Sequence, residues 1–535
     1  MTKKAEDLRQ YLSRRNTVVA AGMVVLLAFT VQKFLYLSTP PGADKECDPL
    51  DHESAEESAR AALPQSSLPW VQNGGTVNDA SCLDETAVYG VVGISSEADV
   101  QKSLAYAREH GLKVSVAGVK HSMGGHAFAK GNVVLDMTRF SDIRLHEDRS
   151  TVTVQSGATW HDIQNVIHPK YAIHAMQSTD IFTVGGSISV NAHGMDHQAG
   201  AVENTIVSMR VMLADGSVRT LSRTNNVDMY DLVVGGYGLF GVILDAELRL
   251  APNDLYESER RVIEYTEFPD LFEEIENDPG VGLTYTHLST SPYSSFLREG
   301  IVYLYKKTDT TVVENEIPPL GEISMVRLRR FVMNVSKYGG VFQSLRWLSE
   351  KYVEPMLESC SISRNQAISS GEACLVARNE PMHDSVPYLQ NSLKGETDIL
   401  HEYFIPRRSI TAFIDGLRDV MRENEANLLN ASIRAVNRER GVLSYAPEEA
   451  FSVVLYINQS TDADGNENMR RVTSELIDLA IDLDGRFFLP YQLHYTGEQL
   501  RASYPNIEVF FALKRAYDPG ELLTNTWYEK YGHML

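Results

Sequence analysis

The run Lys113–Val114–Ser115–Val116–Ala117–Gly118–Val119–Lys120–His121–Ser122–Met123–Gly124–Gly125–His126–Ala127–Phe128 begins with apolar residues at alternate positions, Val114 and Val116. That alternation predicts a short strand, and the glycines Gly118, Gly124 and Gly125 then break it into a loop. Just upstream, Ser96 with Asp99 three residues later predicts a capped helix over Glu97–Glu109. Val100, Leu104 and Ala107 give that helix its apolar face, and Gly111 closes it. A loop leaving such a helix–strand unit can gather backbone N–H groups around an anion. Glycine there lets a bulky ligand approach the main chain. His121 in this loop reads as a ligand, an acid–base group, a nucleophile or a solvated surface histidine.

Two further runs of small residues extend the pattern. Thr183–Gly194 (TVGGSISVNAHG) follows a strand–turn signal at Thr151–Ala158, and Val234–Leu244 (VGGYGLFGVIL) leads into the alternating strand Asp245–Leu250. In this order the segments resemble the flavin-binding domain of the vanillyl-alcohol oxidase and p-cresol methylhydroxylase (PCMH) family. Its aldonolactone and alditol oxidases, cytokinin dehydrogenases and decaprenylphosphoryl-ribose oxidases look most alike. The resemblance is strong from about Val88 to Leu250. It returns more weakly near the C-terminus, at Tyr504–Pro505–Asn506, Lys514–Gly520 and Thr524–Asn525.

The resemblance implies an α+β fold in which a two-part PCMH-type FAD-binding domain, residues 68–252 and 486–535, carries an inserted α+β substrate or cap domain at 253–485. Strand-like runs at Ile301–Lys306, Thr397–Ile405 and Phe451–Ile457 alternate there with helical stretches at Ser409–Glu423 and Asn468–Asp482, as such a cap requires. Arg327–Tyr352 is amphipathic, and reads as a face for a membrane surface, for an anionic substrate or for solvent.

The chain has 535 residues, enough for two or three domains. Its 71 acidic against 49 basic residues give a net charge of −22, a field that repels phosphate backbones and argues against nucleic acid as a partner. At the N-terminus, Lys3, Lys4, Arg9, Arg14 and Arg15 precede the uncharged run Thr17–Val31, and the apolar character continues to Leu37. Residues 1–38 therefore read as a basic flank and a membrane helix that is not cleaved, with the body on the non-cytoplasmic (periplasmic) side. Residues 39–67, rich in proline and acidic groups, read as a flexible tether. Cys47, Cys82, Cys360 and Cys374 form no metal-binding pattern, and no metal is expected. In an exported body they pair as disulfides, for instance Cys47–Cys82 and Cys360–Cys374; buried free thiols are the other reading.

The family wraps FAD in backbone amides, a role that falls by resemblance on Ala117, Gly118, Val119, Lys120, His121 and Ser122, and on Gly185, Gly186, Ser189, Asn191 and Gly194. Val242 and Ile243 match the strand that meets the adenine. His121 stands where Gly-x-x-His-Ser relatives bond histidine to the flavin, so a covalent flavin is expected, the alternative being a hydrogen bond alone. The substrate side departs from the relatives. Their Glu-x-Arg pair becomes Ser432–Ile433–Arg434, and their catalytic lysine aligns with Tyr491, or with His494 if the alignment slips. Arg434 can stabilise developing negative charge, and Tyr491 or His494 can take a hydroxyl proton. Tyr403 and His401 are the reserve candidates.

The expected function is FAD-linked oxidation of a CH–OH group, by hydride transfer, in a small polyol, sugar lactone or related molecule. The electron acceptor is oxygen, a quinone or a cytochrome. A membrane-associated dehydrogenase or reductase of a lipid-linked sugar or sterol-like substrate is the alternative, and a flavin subunit without turnover is a third.

Overall fold

The computed structural model describes residues 30–39, 68–308, 317, 319–353 and 375–534. Of the predicted N-terminal segment 1–38 only residues 30–38 are described, and of the tether 39–67 only residue 39; the rest lies outside the described residues. Among those residues no helix is long and apolar enough to cross a membrane. Cys82 is disulfide-bonded, and the other three cysteines lie outside the described residues.

The predicted helix forms over Glu97–Glu109. The Ser96 side chain accepts from the Asp99 N–H, and beyond the C-terminus the Leu112 N–H reaches back to Ala107 O while Gly111 takes a positive φ. This helix connects Gly90–Gly93 to Val114–Ala117, which both pair in parallel with Val133–Asp136 between them, in a four-stranded sheet ordered Trp70–Asn73, Gly90–Gly93, Val133–Asp136, Val114–Ala117. Strand Val114–Ala117 is where the chain's end returns. Leu523 bridges to Val114, the Thr524 N–H donates to Val114 O, and Ser115 Oγ donates to Thr524 O.

A second sheet, antiparallel, is ordered Val218–Leu221, Ile206–Met212, Val242–Pro252, Thr151–Gln155, Ile143–His146, with Tyr171–Ile173 beside the long central strand. The third sheet has eight strands: Leu375–Ala377, Leu255–Glu264, Glu299–Lys307, Val281–Leu288, Asn427–Val436, Ala450–Ser460, Glu396–Pro406 and Arg486–Phe487. Its last strand lies beyond residue 485, so the cap sheet extends into the segment expected to return to the flavin domain.

Nearly every residue of Ala450–Ser460 and Glu396–Pro406 is buried, which means both faces of this sheet are covered. Helices Ile410–Glu423 and Ala463–Asp482 cover one face; Tyr403 packs on Phe413, and His401 lies near Thr473. The other face, with Leu400, Glu402, Ser432, Arg434 and Val454, lines a cavity against the first two sheets. The amphipathic stretch forms two helices, Val326–Ser336 and Gly340–Tyr352, parted at Gly339 with φ +125°. Residues 30–38 are helical and end against the first of them. Arg330 Nη1 donates to Ser38 O (3.2 Å) and Asn334 Nδ2 to Leu37 O (2.9 Å).

Candidate active site

One cavity of about 2160 Å³ runs between the flavin-side loops and the cap sheet. Its first wall is the loop after Val114–Ala117. A Cβ on Gly118 would stand 2.1 Å from Thr183 Oγ1, so only glycine lets this loop meet the one leading into helix Val184–Ser189. Lys120 and Met123 take left-handed backbone, which turns successive amides the same way. Among the described residues, the N–H groups of Val119, Lys120, His121 and Ser122 donate no hydrogen bond. Unused donors on a cavity wall suit a ligand rich in acceptors, as a pyrophosphate is. A Cβ on Gly124 would come 2.3 Å from Tyr491 O, so the same loop also holds the Tyr491 backbone in place.

The facing wall gathers charge. His193 Nε2 donates to Glu402 Oε1 at 2.6 Å, Ser452 Oγ donates to the same oxygen, and Tyr491 Oη reaches Glu402 Oε2 at 3.4 Å. Burial pushes the Glu402 carboxyl up. The charge and hydrogen bond of His193, the Ser452 hydroxyl and Arg434 outweigh burial, and the group sits below its ordinary value. Burial lowers Arg434 from its ordinary value, opposed by Glu402, and raises the Tyr491 phenol well above its own, helped by Glu402. His287, on the same face, is pushed down to about 4, chiefly by burial. This wall thus holds the Glu402 carboxylate, the Arg434 guanidinium, the protonated Tyr491 phenol and two imidazoles, His193 bonded to the carboxylate and His287 neutral.

The FAD binding domain family matches residues 89–222. The chain is 24% identical to cytokinin dehydrogenase 2 of Arabidopsis thaliana over 81% of this chain and 87% of that one. It is 36% identical to an uncharacterised oxidoreductase of Rhodococcoides fascians, over 29% of this chain and 35% of the relative's length. With L-gulonolactone oxidase of Mus musculus the identity is 27%, over 38% of this chain and 44% of that one. A solvent-stable cholesterol oxidase superposes with a TM-score of 0.66 over 88% of this chain and all of its own, at 15% identity, a likeness of fold. Residues 89–222 therefore form an FAD-binding domain, and the chain is similar to the PCMH-type FAD oxidoreductases.

In this flavoprotein the amide cradle at 118–122 and the glycine-dependent contact with Thr183 fit FAD. Of the residues expected to bind it, Ala117, Gly118, Val119, Lys120, His121, Ser122, Gly185, Gly186, Ser189 and Ile243 line the cavity. Gly185, Gly186 and Ser189 do so from a short helix rather than a loop. Asn191, Gly194 and Val242 are not on the wall. Asn191 Nδ2 instead bonds Glu439 Oε2, and Gly194 packs where a Cβ would meet Met176 O at 2.0 Å.

On the substrate side the structure brings Tyr491 and Arg434 together and leaves His494 off the wall. His494 is held at about 4 by burial, with Lys530 and Arg470 adding to the shift. Tyr403 and His401 are also absent from the wall, since they point to the helices. Glu402 and His193 were missed as site residues in the sequence. Period-two alternation puts Glu402 on the opposite face of the strand from both reserve candidates, so naming His401 and Tyr403 pointed away from it.

Proposed function

We propose that this flavoprotein takes a hydride from the carbinol carbon of a hydroxylated, largely apolar substrate that reaches the cavity from a lipid bilayer. The carrying observation is the cavity's far end, lined by Leu35, Tyr36, Met325, Leu328 and Val332, where the surrounding surface is apolar and exposed. Around it Leu35 is 50% exposed, and on helix Gly340–Tyr352 Val341 is 59%, Leu345 57% and Leu348 49%. A contiguous patch of this kind on two neighbouring helices is unusual for a surface meeting only water. The uncharged run Thr17–Val31 leads directly into residues 30–38, which dock here, so an anchor in the bilayer brings this face to the lipid. The disulfide at Cys82 supports a body on the non-cytoplasmic side.

FAD, when bound, supplies the hydride acceptor. The chain supplies the proton route and the charge. Tyr491 Oη takes the proton of the substrate hydroxyl as its own proton passes along the existing hydrogen bond to the Glu402 carboxylate. Arg434, buried beside them, stabilises the alkoxide as it forms. His121 Nδ1 donates to Val119 O at 2.7 Å, which leaves Nε2 with the lone pair and supports a covalent bond to the flavin. Acid precipitation tests that bond: yellow colour stays in the wild-type pellet and leaves it in His121→Ala.

A small polyol or sugar lactone is the second reading, favoured by the buried pair Glu402 and Arg434, which suits several hydroxyls. Full-length protein in nanodiscs is offered an extract of membrane lipids and, separately, a panel of polyols and sugar lactones. Mass spectrometry then looks for products lighter by two hydrogens. Products among the lipids support the proposal; products among the polar compounds alone overturn it.

A further inference from the structure

Away from the flavin cradle, His161, Asp180 and His383 offer ligand atoms that all lie within 4.8 Å of one another. They come from distant parts of the chain: helix Trp160–Ile167, the loop before Thr183, and the turn after Glu380–Met382. Asp180 is fully buried. His161 Nδ1 lies 2.9 Å and His383 Nδ1 3.1 Å from its Oδ2, and Ser385 Oγ donates to its Oδ1 at 2.7 Å. Burial would raise the Asp180 carboxyl, yet hydrogen bonds from His383, Ser385 and His161 hold it below its ordinary value. His383 Nδ1 also faces Gln164 Oε1 at 2.9 Å.

Both Nδ1 atoms therefore face oxygen acceptors and carry their ring's proton, which leaves a lone pair on each Nε2. The two rings stack, centroids 4.7 Å apart and 16° from parallel, so those lone pairs emerge side by side. Facing them is a third acceptor, Glu322 Oε1, at 3.4 Å from His161 Nε2 and 4.0 Å from His383 Nε2. His383 Nε2 is buried and has no hydrogen-bond partner among the described residues. Two lone pairs and a carboxylate directed at one point repel one another unless a cation stands between them.

We propose that His161 Nε2, His383 Nε2 and the Glu322 carboxylate bind a divalent transition-metal ion of the zinc or cobalt class, with Asp180 orienting both imidazoles from behind. Ligands about 2.0–2.1 Å from a tetrahedral ion stand about 3.4 Å apart; His161 Nε2 and Glu322 Oε1 are at that separation, and His383 Nε2, at 4.0 Å from the same oxygen, closes on the ion by a small side-chain shift. A metal-bound imidazole whose second nitrogen donates to a carboxylate is the usual outer arrangement of such sites. His161 is partly exposed, which gives the ion a way in. Glu322, His383 and Ser385 also line the cavity, and Glu322 lies just before helix Val326–Ser336. The ion thus ties the loop leading to the exposed apolar helices to the body of the protein.

Full-length flavoprotein, purified without a metal column and stripped with chelator, is titrated with Zn²⁺ and Co²⁺, and bound metal is measured after gel filtration. The expected result is a single tightly held ion, with a visible Co²⁺ ligand-field band. His161→Gln or His383→Gln abolishes it, and Asp180→Asn weakens it about 10- to 100-fold. Flavin absorbance reports whether each variant has folded. Glu322→Gln, on an exposed loop, serves if a histidine variant does not fold, and should weaken binding at least about tenfold. No retained ion in the wild type overturns the proposal, as does an affinity unmoved by Glu322→Gln.

Discussion

Glu402 and Tyr403 are neighbours on strand Glu396–Pro406 and face opposite sides of the cap sheet. Tyr403 meets Phe413 of the covering helix, while Glu402 meets His193, Ser452 and Tyr491 in the cavity. A strand's period of two makes that difference absolute, so a shift of one residue exchanges a packing group for a proton acceptor. Tyr491→Phe and Glu402→Gln should each slow flavin reduction about 10²-fold or more with FAD still bound, as removal of an acid–base group does. His494→Ala should leave the rate unchanged. Rapid mixing with a substrate identified in nanodiscs, alongside the flavin content of each variant, checks both. Gly118→Ala tests the cradle. Its Cβ meets Thr183 Cγ2 at 3.0 Å and Cβ at 3.1 Å as well as Oγ1, so rotating the threonine does not clear the contact. It should cost about 1–3 kcal/mol and release FAD, read from the absorbance of purified protein. The cradle was legible because glycine spacing and an adjoining strand signal are local. The missing glutamate of the Glu-x-Arg pair was not. The Glu402 carboxylate now beside Arg434 comes from a strand two positions away across the sheet, and one sequence does not reveal that pairing.

At the scale of elements, helix Glu97–Glu109 follows its capping signals residue by residue, because a side-chain cap and a closing glycine act within one turn. The order of the eight-stranded sheet had no such local trace. Arg327–Tyr352 reads as one amphipathic stretch in the sequence, but Gly339 divides it into two helices that bury Met333 and Trp347 and leave other apolar residues outward. Val341, Leu345, Leu348 and Tyr352 recur at helical spacing on one exposed face. The double substitution Leu345→Glu with Leu348→Glu removes apolar surface and adds charge facing an anionic bilayer. It should weaken retention of the apolar face on vesicles of phosphatidylcholine and phosphatidylglycerol, read as greater protease access to that helix in reconstituted full-length protein. Flavin content should not change. Equal protection of wild type and variant would count against a lipid-facing role for this surface.

At the scale of the molecule, the flavin domain and the cap are joined by buried polar contacts. Asn191 binds Glu439, and Tyr445 Oη donates to Asn191 O at 2.6 Å. Burial, with nearby Glu203, raises the Glu439 carboxyl to about 8, so the folded protein keeps it neutral where the unfolded chain has ionised it. Its contribution to stability is complete below the unfolded value near 4.5 and is lost as pH rises towards 8. Thermal melts between pH 5 and pH 8 should therefore fall less steeply with pH in Glu439→Gln than in the wild type.

Anaerobic mixing of the full-length holoprotein in nanodiscs with hydroxylated membrane lipids, followed at the flavin band, addresses the chemistry and the route together. The account predicts bleaching that is fast with bilayer-borne hydroxylated lipid, slowed when the carbinol carbon is deuterated, and about 10²-fold slower in Tyr491→Phe. A flavin that stays oxidised with every such lipid, or that bleaches only with soluble polyols and lactones, would contradict it.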